Sequence, residues 1–260
     1  MFLLPILFFA LLGLVIGSFL NVVIIRSAAE ESLGGRSRCR SCQHMLSVRE
    51  LVPVASFFLQ GRRCRHCRTP ISWQYPLVEG ATAFLFAYAA IIFIPFLFGE
   101  LSLETLFFFL NTLFVCAAGV VVLVADLRFQ IIPNGAALAL ALAGLLVSFM
   151  RGGSVGLAYD GGAAVAISAF LAVLWLISRG KWLGLGDAKL VFGTSLLVGY
   201  PVAFVALLFA FWLGGAVGII LMLVGGKKWG SAIPFGPFIL AGAVMAYGYS
   251  SVFFALLGWS

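Results

Sequence analysis

The chain has 260 residues, of which 63% are hydrophobic and only 10% are charged, and its formal net charge is +7 at pH 7. A soluble domain is about half apolar, so this composition excludes an ordinary soluble protein and indicates a membrane protein. The positive charge could suggest nucleic-acid binding, but basic loops set the orientation of membrane proteins, and we expect no nucleic-acid partner.

Apolar runs long enough to cross a bilayer recur along the whole chain, since a transmembrane helix needs about 20 such residues. The first run has no basic n-region and no small-residue cleavage pattern after it, so we interpret it as a permanent anchor rather than a signal peptide. The sequence predicts an all-α polytopic membrane protein with about eight transmembrane helices, at residues 2–25, 76–98, 105–125, 135–150, 161–178, 188–200, 202–224 and 236–257.

One hydrophilic insertion, from about Ser27 to Gln74, interrupts the apolar runs. It divides the chain into a first transmembrane helix at 1–26, a small tetracysteine domain at 27–75 and a transmembrane core at 76–260. Because cytoplasmic loops are enriched in lysine and arginine, we expect this insertion to be cytoplasmic and to rest on anionic membrane lipid. Its arginines are Arg36, Arg38, Arg40, Arg49, Arg62, Arg63, Arg65 and Arg68.

With eight spans and a cytoplasmic insertion, both termini lie outside. The remaining basic residues agree with this orientation, except for Arg151, which falls on the outer side. Those on the inner side are Arg128, Arg179, Lys181, Lys227 and Lys228.

Two of the three aspartates lie at the edges of apolar segments on the predicted cytoplasmic side. Asp126 ends the third span in VVLVADLRFQIIPN, and Asp187 opens the sixth in GLGDAKL. An acid there is costly unless it is hydrated or partnered, and it is therefore a functional candidate. Two carboxyl groups at one depth can share a proton, so that one activates water while the other protonates a substrate carbonyl. This is the arrangement that an aspartic protease needs.

The residues around the two acids favour the same interpretation. Gly184 and Gly186 leave room for a substrate backbone beside Asp187. Asn134, which follows a proline, marks the end of the helix that carries Asp126, and we expect it to cap the next helix.

Each acid also has a structural alternative. Asp187 could be a helix N-cap after a glycine turn, and Asp126 could be an interfacial acid paired with Arg128. The third aspartate, Asp160, precedes two glycines, and we expect it to be a turn residue in an outer loop.

The hydrophilic insertion contains two CxxC pairs, CRSC and CRHC. Two such pairs at this separation are typical of a structural zinc site with four thiolate ligands and no open position. Two disulfides or redox-active pairs are the alternatives, and a cytoplasmic location argues against stable disulfides. The predicted zinc ligands are Cys39, Cys42, Cys64 and Cys67.

Five motifs in order resemble those of the type IV prepilin peptidases, which are bifunctional membrane aspartic proteases, and together they cover nearly the whole chain. They are GSFLNVVIIR at Gly17–Arg26, the paired CxxC loop with PISWQYPLVE at Pro70–Glu79, Asp126 with the downstream IPN, GLGD with Lys189, and IPFGPF at Ile233–Phe238. The sequence departs from the family pattern after Arg26, where Ser27-Ala28 stands in place of a following proline.

The resemblance implies that Asp126 and Asp187 are catalytic. It implies cleavage of the basic leader of type IV prepilins or pseudopilins at the cytoplasmic face of the bacterial inner membrane. It further implies methylation of the new N-terminus with S-adenosylmethionine, because the cysteine loop belongs to family members with both activities. No residue in the sequence independently indicates a methyl-donor site.

Two other classes of function compete with this interpretation. A proton-coupled transporter could use the two aspartates as a relay, but such acids are commonly near the bilayer midplane in repeated halves. Here they are at one edge, and no internal repeat is visible. A non-enzymatic assembly factor with a zinc-stabilised loop is the third possibility.

Overall fold

A computed structural model of the chain describes residues 3–99, 102–225 and 233–249. Lys227, Lys228 and the end of the eighth predicted span lie outside these ranges. Within them, the regular structure is helical, with one 3₁₀ turn at Val48–Glu50, and the all-α prediction is confirmed. The α-helices are α1 (Leu3–Ala28), α2 (Ala55–Leu59), α3 (Gln74–Gly99), α4 (Leu103–Phe129), α5 (Asn134–Ser178), α6 (Leu185–Val198), α7 (Val202–Leu223) and α8 (Gly236–Gly248).

Five of the described helices, α1, α3, α4, α5 and α7, are long and apolar enough to cross a membrane. The 14-residue α6 and the 13-residue α8 are apolar but shorter than a full span. Since α5 combines the fourth and fifth predicted spans, the described helices account for the first seven apolar segments and for the start of the eighth. The protein is a multi-pass membrane protein.

The 45-residue α5 is a helical hairpin rather than one rod. Its backbone leaves the helical region at Gly152 and Gly153, and Gly153 has a φ of 57°, which a residue without a side chain adopts freely. The hydroxyl of Ser148 donates a hydrogen bond of 2.7 Å to Asp160, whereas a straight helix would separate these residues by about 18 Å. Asp160 is thus helical and buried, so the turn prediction for it was wrong. The turn forms at the earlier glycine pair.

The chain forms two compact units, Met1–Val124 and Ala125–Ser260. In the first unit, α1 packs closely on α3 through small residues. A β-carbon added at Gly13 or Gly17 would lie 2.6 Å from the Cα of Ala83 or 2.7 Å from the Cα of Glu79. A buried apolar cluster that includes Phe86 and Phe109 extends this packing towards α4.

In the second unit, α6 packs against both arms of α5. Gly144 in the first arm faces Leu196, and Ser168 in the second arm donates a hydrogen bond of 2.8 Å to the carbonyl of Ala188. The guanidinium of Arg151 donates to the carbonyl of Val198 at 3.0 Å. A cation at the C-terminus of a helix is favourable, so the one basic residue that breaks the charge bias has a structural role at the end of α6.

Candidate active site

Asp126 lies in the last turn of α4 and belongs to the second unit. The residue is only 5% exposed. Its Oδ2 accepts a hydrogen bond of 2.7 Å from the backbone N–H of Gly236, the first residue of α8. The IPFGPF motif therefore brings a backbone donor to the first predicted catalytic acid.

Asp187 lies in the first turn of α6, and the residue is 7% exposed. Its Oδ2 accepts a hydrogen bond of 2.8 Å from the N–H of Gly184, which is the N-cap residue. Asp187 is the third residue of α6, and its carboxyl group accepts from the N–H of the residue just before the helix. It does cap α6 in this sense, although it is not the N-cap residue itself.

The two acids come from the end of α4 and the start of α6, and both belong to the same compact unit. Each carboxyl group is held by one glycine N–H, and in both cases the hydrogen bond is to Oδ2. The Oδ1 atoms take no part in these two bonds. Two buried carboxyl groups held in this way can share a proton where they face the same water molecule.

Two contacts connect the segment after Asp126 to the turn that carries Asp187. Lys189 donates a hydrogen bond of 2.9 Å to the Oδ1 of Asn134. A β-carbon added at Gly186 would lie 3.0 Å from the Cβ of Ile132. The N-cap of α5 is the preceding proline, so the predicted capping role of Asn134 was wrong, because its side chain instead accepts from Lys189.

The four predicted zinc ligands come together in the first unit. The sulfur atoms of Cys39, Cys42, Cys64 and Cys67 all lie within 4.8 Å of one another. The Sγ atoms of Cys39 and Cys67 are 3.8 Å apart, which matches the edge of a tetrahedron with Zn–S bonds of about 2.3 Å. All five cysteines of the chain are free thiols, so the donor set fits a metal ion rather than two disulfides.

The two CxxC turns have the same local structure. In each turn, the residue that follows the second cysteine of the pair has a positive φ. This residue is Gln43 in the first turn, with a φ of 60°, and Arg68 in the second, with a φ of 59°. Its N–H donates to the carbonyl of the first cysteine of its pair, at 2.9 Å in one turn and 3.0 Å in the other. Two equivalent turns facing one another are the expected scaffold for a single tetrahedral ion.

The surroundings of two of the cysteines favour the thiolate, which is the form that binds metal. Hydrogen bonds from the side chain and backbone of Thr69 lower the pKa of Cys67 to about 6. The backbone N–H of Cys42 lowers the pKa of Cys39. The backbone of His44 lowers the pKa of Cys42, but burial and the neighbouring thiols outweigh this effect and raise the pKa to about 11. A bound cation would therefore have to displace the proton of Cys42, whereas Cys39 and Cys67 lose theirs more readily.

A buried carboxylate attaches the cysteine loop to the membrane helices. Glu79 on α3 is 6% exposed, and its Oε2 accepts a hydrogen bond of 2.7 Å from the N–H of Val54. Val54 has φ 59° and ψ −52°, an unusual conformation for a β-branched residue that persists only where the surroundings enforce it. The sequence motif contained Glu79, but nothing in it indicated this partner.

Two family profiles match most of the chain. The profile described as "Bacterial Peptidase A24 N-terminal domain" matches residues 11–93, and the profile described as "Type IV leader peptidase family" matches residues 113–219. Three similar proteins are each named "Prepilin leader peptidase/N-methyltransferase". They come from Burkholderia pseudomallei strain 1026b, Bacillus subtilis strain 168 and Myxococcus xanthus strain DK1622.

The Burkholderia protein is 33% identical, and the match covers 96% of this chain and 87% of the relative. The Bacillus protein is 34% identical over 91% of each chain. The Myxococcus protein is 35% identical over 85% of this chain and 64% of its own length. No solved structure matches the chain significantly. On the extent and identity of these matches, the chain belongs to the type IV leader peptidase family.

Proposed function

We propose that this protein cleaves the leader peptide of type IV prepilins or pseudopilins with Asp126 and Asp187, and that it N-methylates the new N-terminus. One observation carries the peptidase assignment. Two buried carboxyl groups, on α4 and α6 of one compact unit, are each held by one glycine N–H, and the hydrogen bond from Lys189 to Asn134 joins the segments beside them. Family membership and the name shared by the relatives support the substrate class and the second activity.

The proposed cleavage is general acid–base chemistry by the aspartate pair. The ionised carboxylate takes a proton from a water molecule, and the water oxygen forms a bond to the scissile carbonyl carbon. The protonated carboxyl group gives its proton to the carbonyl oxygen. The C–N bond then breaks as the carboxyl group that took the water proton gives a proton to the leaving amine. The other carboxylate takes a proton back from a hydroxyl of the tetrahedral intermediate, so that both acids return to their starting states. The glycine N–H groups keep the two carboxyl groups in position throughout.

The four cysteines would hold a structural zinc ion, because four thiolates leave no open coordination position. The ion would join the two CxxC turns of the domain at 27–75, which precedes the proposed peptidase core at 76–260 in the sequence. In the methylation, S-adenosylmethionine supplies an electrophilic methyl group, and the prepilin amine forms the new N–C bond as the C–S bond breaks. No residue of this chain is assigned to the methyl donor.

We also propose that the protein lies in the bacterial inner membrane with the cysteine loop in the cytoplasm and both termini outside. The arginine-rich loop supports this orientation through the positive-inside rule. It would place the acids on the side where a basic leader enters, while the apolar segment after the cleavage site remains in the membrane.

The test is incubation of the purified protein with a purified prepilin, with and without S-adenosylmethionine, followed by mass spectrometry of the prepilin. Asp126→Asn and Asp187→Asn should each abolish cleavage. Asp160→Asn is the matched control, because Asp160 is also buried in the second unit but bonds to Ser148 and the N–H of Tyr200. Cleavage by the Asp126→Asn, Asp187→Asn double variant would refute the assignment.

A further inference from the structure

We infer that Gly236 is a positioning residue of the peptidase, because its backbone N–H holds the carboxylate of Asp126 and its lack of a side chain leaves room for that carboxylate. This inference rests on the proposed catalytic role of Asp126. It makes the first turn of α8 a third element of the active site, after the end of α4 and the start of α6.

The N–H of Gly236 is available because of its place in the helix. Amide groups in the first turn of a helix have no partner within the helix. The next residue, Pro237, has no N–H to offer, and the N–H of Phe238 already bonds to the carbonyl of Phe235 at 3.0 Å. The hydrogen bond from Gly236 to Asp126 is buried and 2.7 Å long, as expected for a bond to a charged acceptor.

The space around Gly236 is taken up by Asp126 itself. A β-carbon added at this position would lie 2.7 Å from the Oδ2, 3.4 Å from the Cγ and 3.5 Å from the Cβ of Asp126, and these are the three nearest atoms. The first distance is too short for any carbon–oxygen contact, so the carboxylate would have to move.

The corresponding glycine on the other acid is different. A β-carbon added at Gly184 would lie 3.4 Å from the Oδ2 of Asp187, which is an ordinary van der Waals contact. Both acids therefore accept a hydrogen bond from a glycine N–H, but the backbone lies closer to the carboxyl group of Asp126 than to that of Asp187. Only on the Asp126 side does the backbone exclude the smallest side chain.

The first test is kinetic. Gly236→Ala should lower kcat for prepilin cleavage by about 100-fold, since a displacement of about 1 Å in a catalytic group has an effect of this size. KM should stay within about twofold of the wild-type value, because displacement of a catalytic carboxylate weakens the transition state rather than substrate binding. Gly248→Ala is the matched control at the other end of α8, where an added β-carbon meets none of the described residues within 4 Å, and it should cleave normally. Wild-type kcat in Gly236→Ala would overturn the inference.

The second test needs no activity. Thermal unfolding in detergent is compared for Gly236→Ala in the wild-type chain and in an Asp126→Ala chain. The substitution should lower Tm in the first background and leave it nearly unchanged in the second, because the clashing carboxylate is gone. An equal loss in both backgrounds would overturn the inference. If this cycle succeeds while Asp126→Asn still cleaves prepilin, the contact stands and the proposed function fails.

Discussion

The hydrogen bond between Lys189 and Asn134 should contribute to the rate of cleavage although neither residue is proposed to do chemistry. Lys189 lies two residues after Asp187 on α6, and Asn134 starts α5 directly after the short linker that follows Asp126. The bond of 2.9 Å therefore ties together the segments that carry the two acids. Lys189→Met keeps most of the aliphatic stem and removes the ammonium group, so it breaks this tie with little loss of packing.

The size of the effect follows from the contact. A hydrogen bond with one charged partner contributes about 1.5–3 kcal/mol, but this bond is exposed to solvent, and exposed charged contacts contribute about 1 kcal/mol or less. If about 1 kcal/mol of positioning is lost in the transition state, kcat falls by roughly fivefold, because about 1.4 kcal/mol corresponds to tenfold.

The assay is a double-mutant cycle on the initial rate of cleavage at saturating prepilin. Lys189→Met and Asn134→Ala should each lower kcat by roughly fivefold, and the double variant should be no slower than either, because the same bond is lost. Lys181→Met, in the turn before α6, is the control for removal of a lysine charge. The reasoning is wrong if the two losses multiply to about 25-fold or if both single variants keep the wild-type rate.

Three further predictions concern the first unit. Removing zinc with a strong chelator, or Cys64→Ser, should open the loop at 36–68 to trypsin in limited proteolysis, whereas Cys116→Ser outside the cluster should not. Glu79→Ala leaves the N–H of Val54 without its acceptor, at a cost of about 1–3 kcal/mol. It should lower methylation more than cleavage in the mass-spectrometric assay, and equal losses would contradict its role in the loop. Gly17→Val would place a side chain against the Cα of Glu79, and overpacking of about 1–3 kcal/mol should lower Tm by about 2–12 °C. An unchanged Tm would show that α1 and α3 can separate without cost.

The candidate residues could be predicted from the sequence because each is unusual in its surroundings. A charged side chain is rare beside long apolar runs, so Asp126 and Asp187 were conspicuous. The cysteines were conspicuous by their spacing, which a tetrahedral ion requires. The structure gathers the four sulfur atoms within 4.8 Å of one another, and it places the two acids in one compact unit.

The hairpin in α5 could not be located in the same way. Two glycine pairs, at 152–153 and 161–162, are both able to form the turn. The choice depends on tertiary contacts, since Asp160 bonds to Ser148 across the hairpin and to the N–H of Tyr200 beyond α6. A turn at the later pair would place Asp160 at the tip, where it could make neither bond. Nothing in the local sequence around either glycine pair predicts these hydrogen bonds between distant residues.

The backbone donors of the active site were invisible in the sequence for a more general reason. Every residue except proline carries the same backbone N–H. Residue type therefore does not show that the N–H of Gly236 will donate to Asp126, which is 110 positions away in the sequence. What the IPFGPF motif does show is a glycine followed by a proline at a helix start. The N–H of the glycine has no acceptor within the helix, and the proline has no N–H. The glycine has an N–H without a partner inside α8, so this N–H can donate to Asp126. Its lack of a side chain leaves the space that the carboxyl group of Asp126 occupies. The motif is therefore explained by the needs of the acid rather than by those of the helix, because a helix start alone would tolerate alanine in place of Gly236.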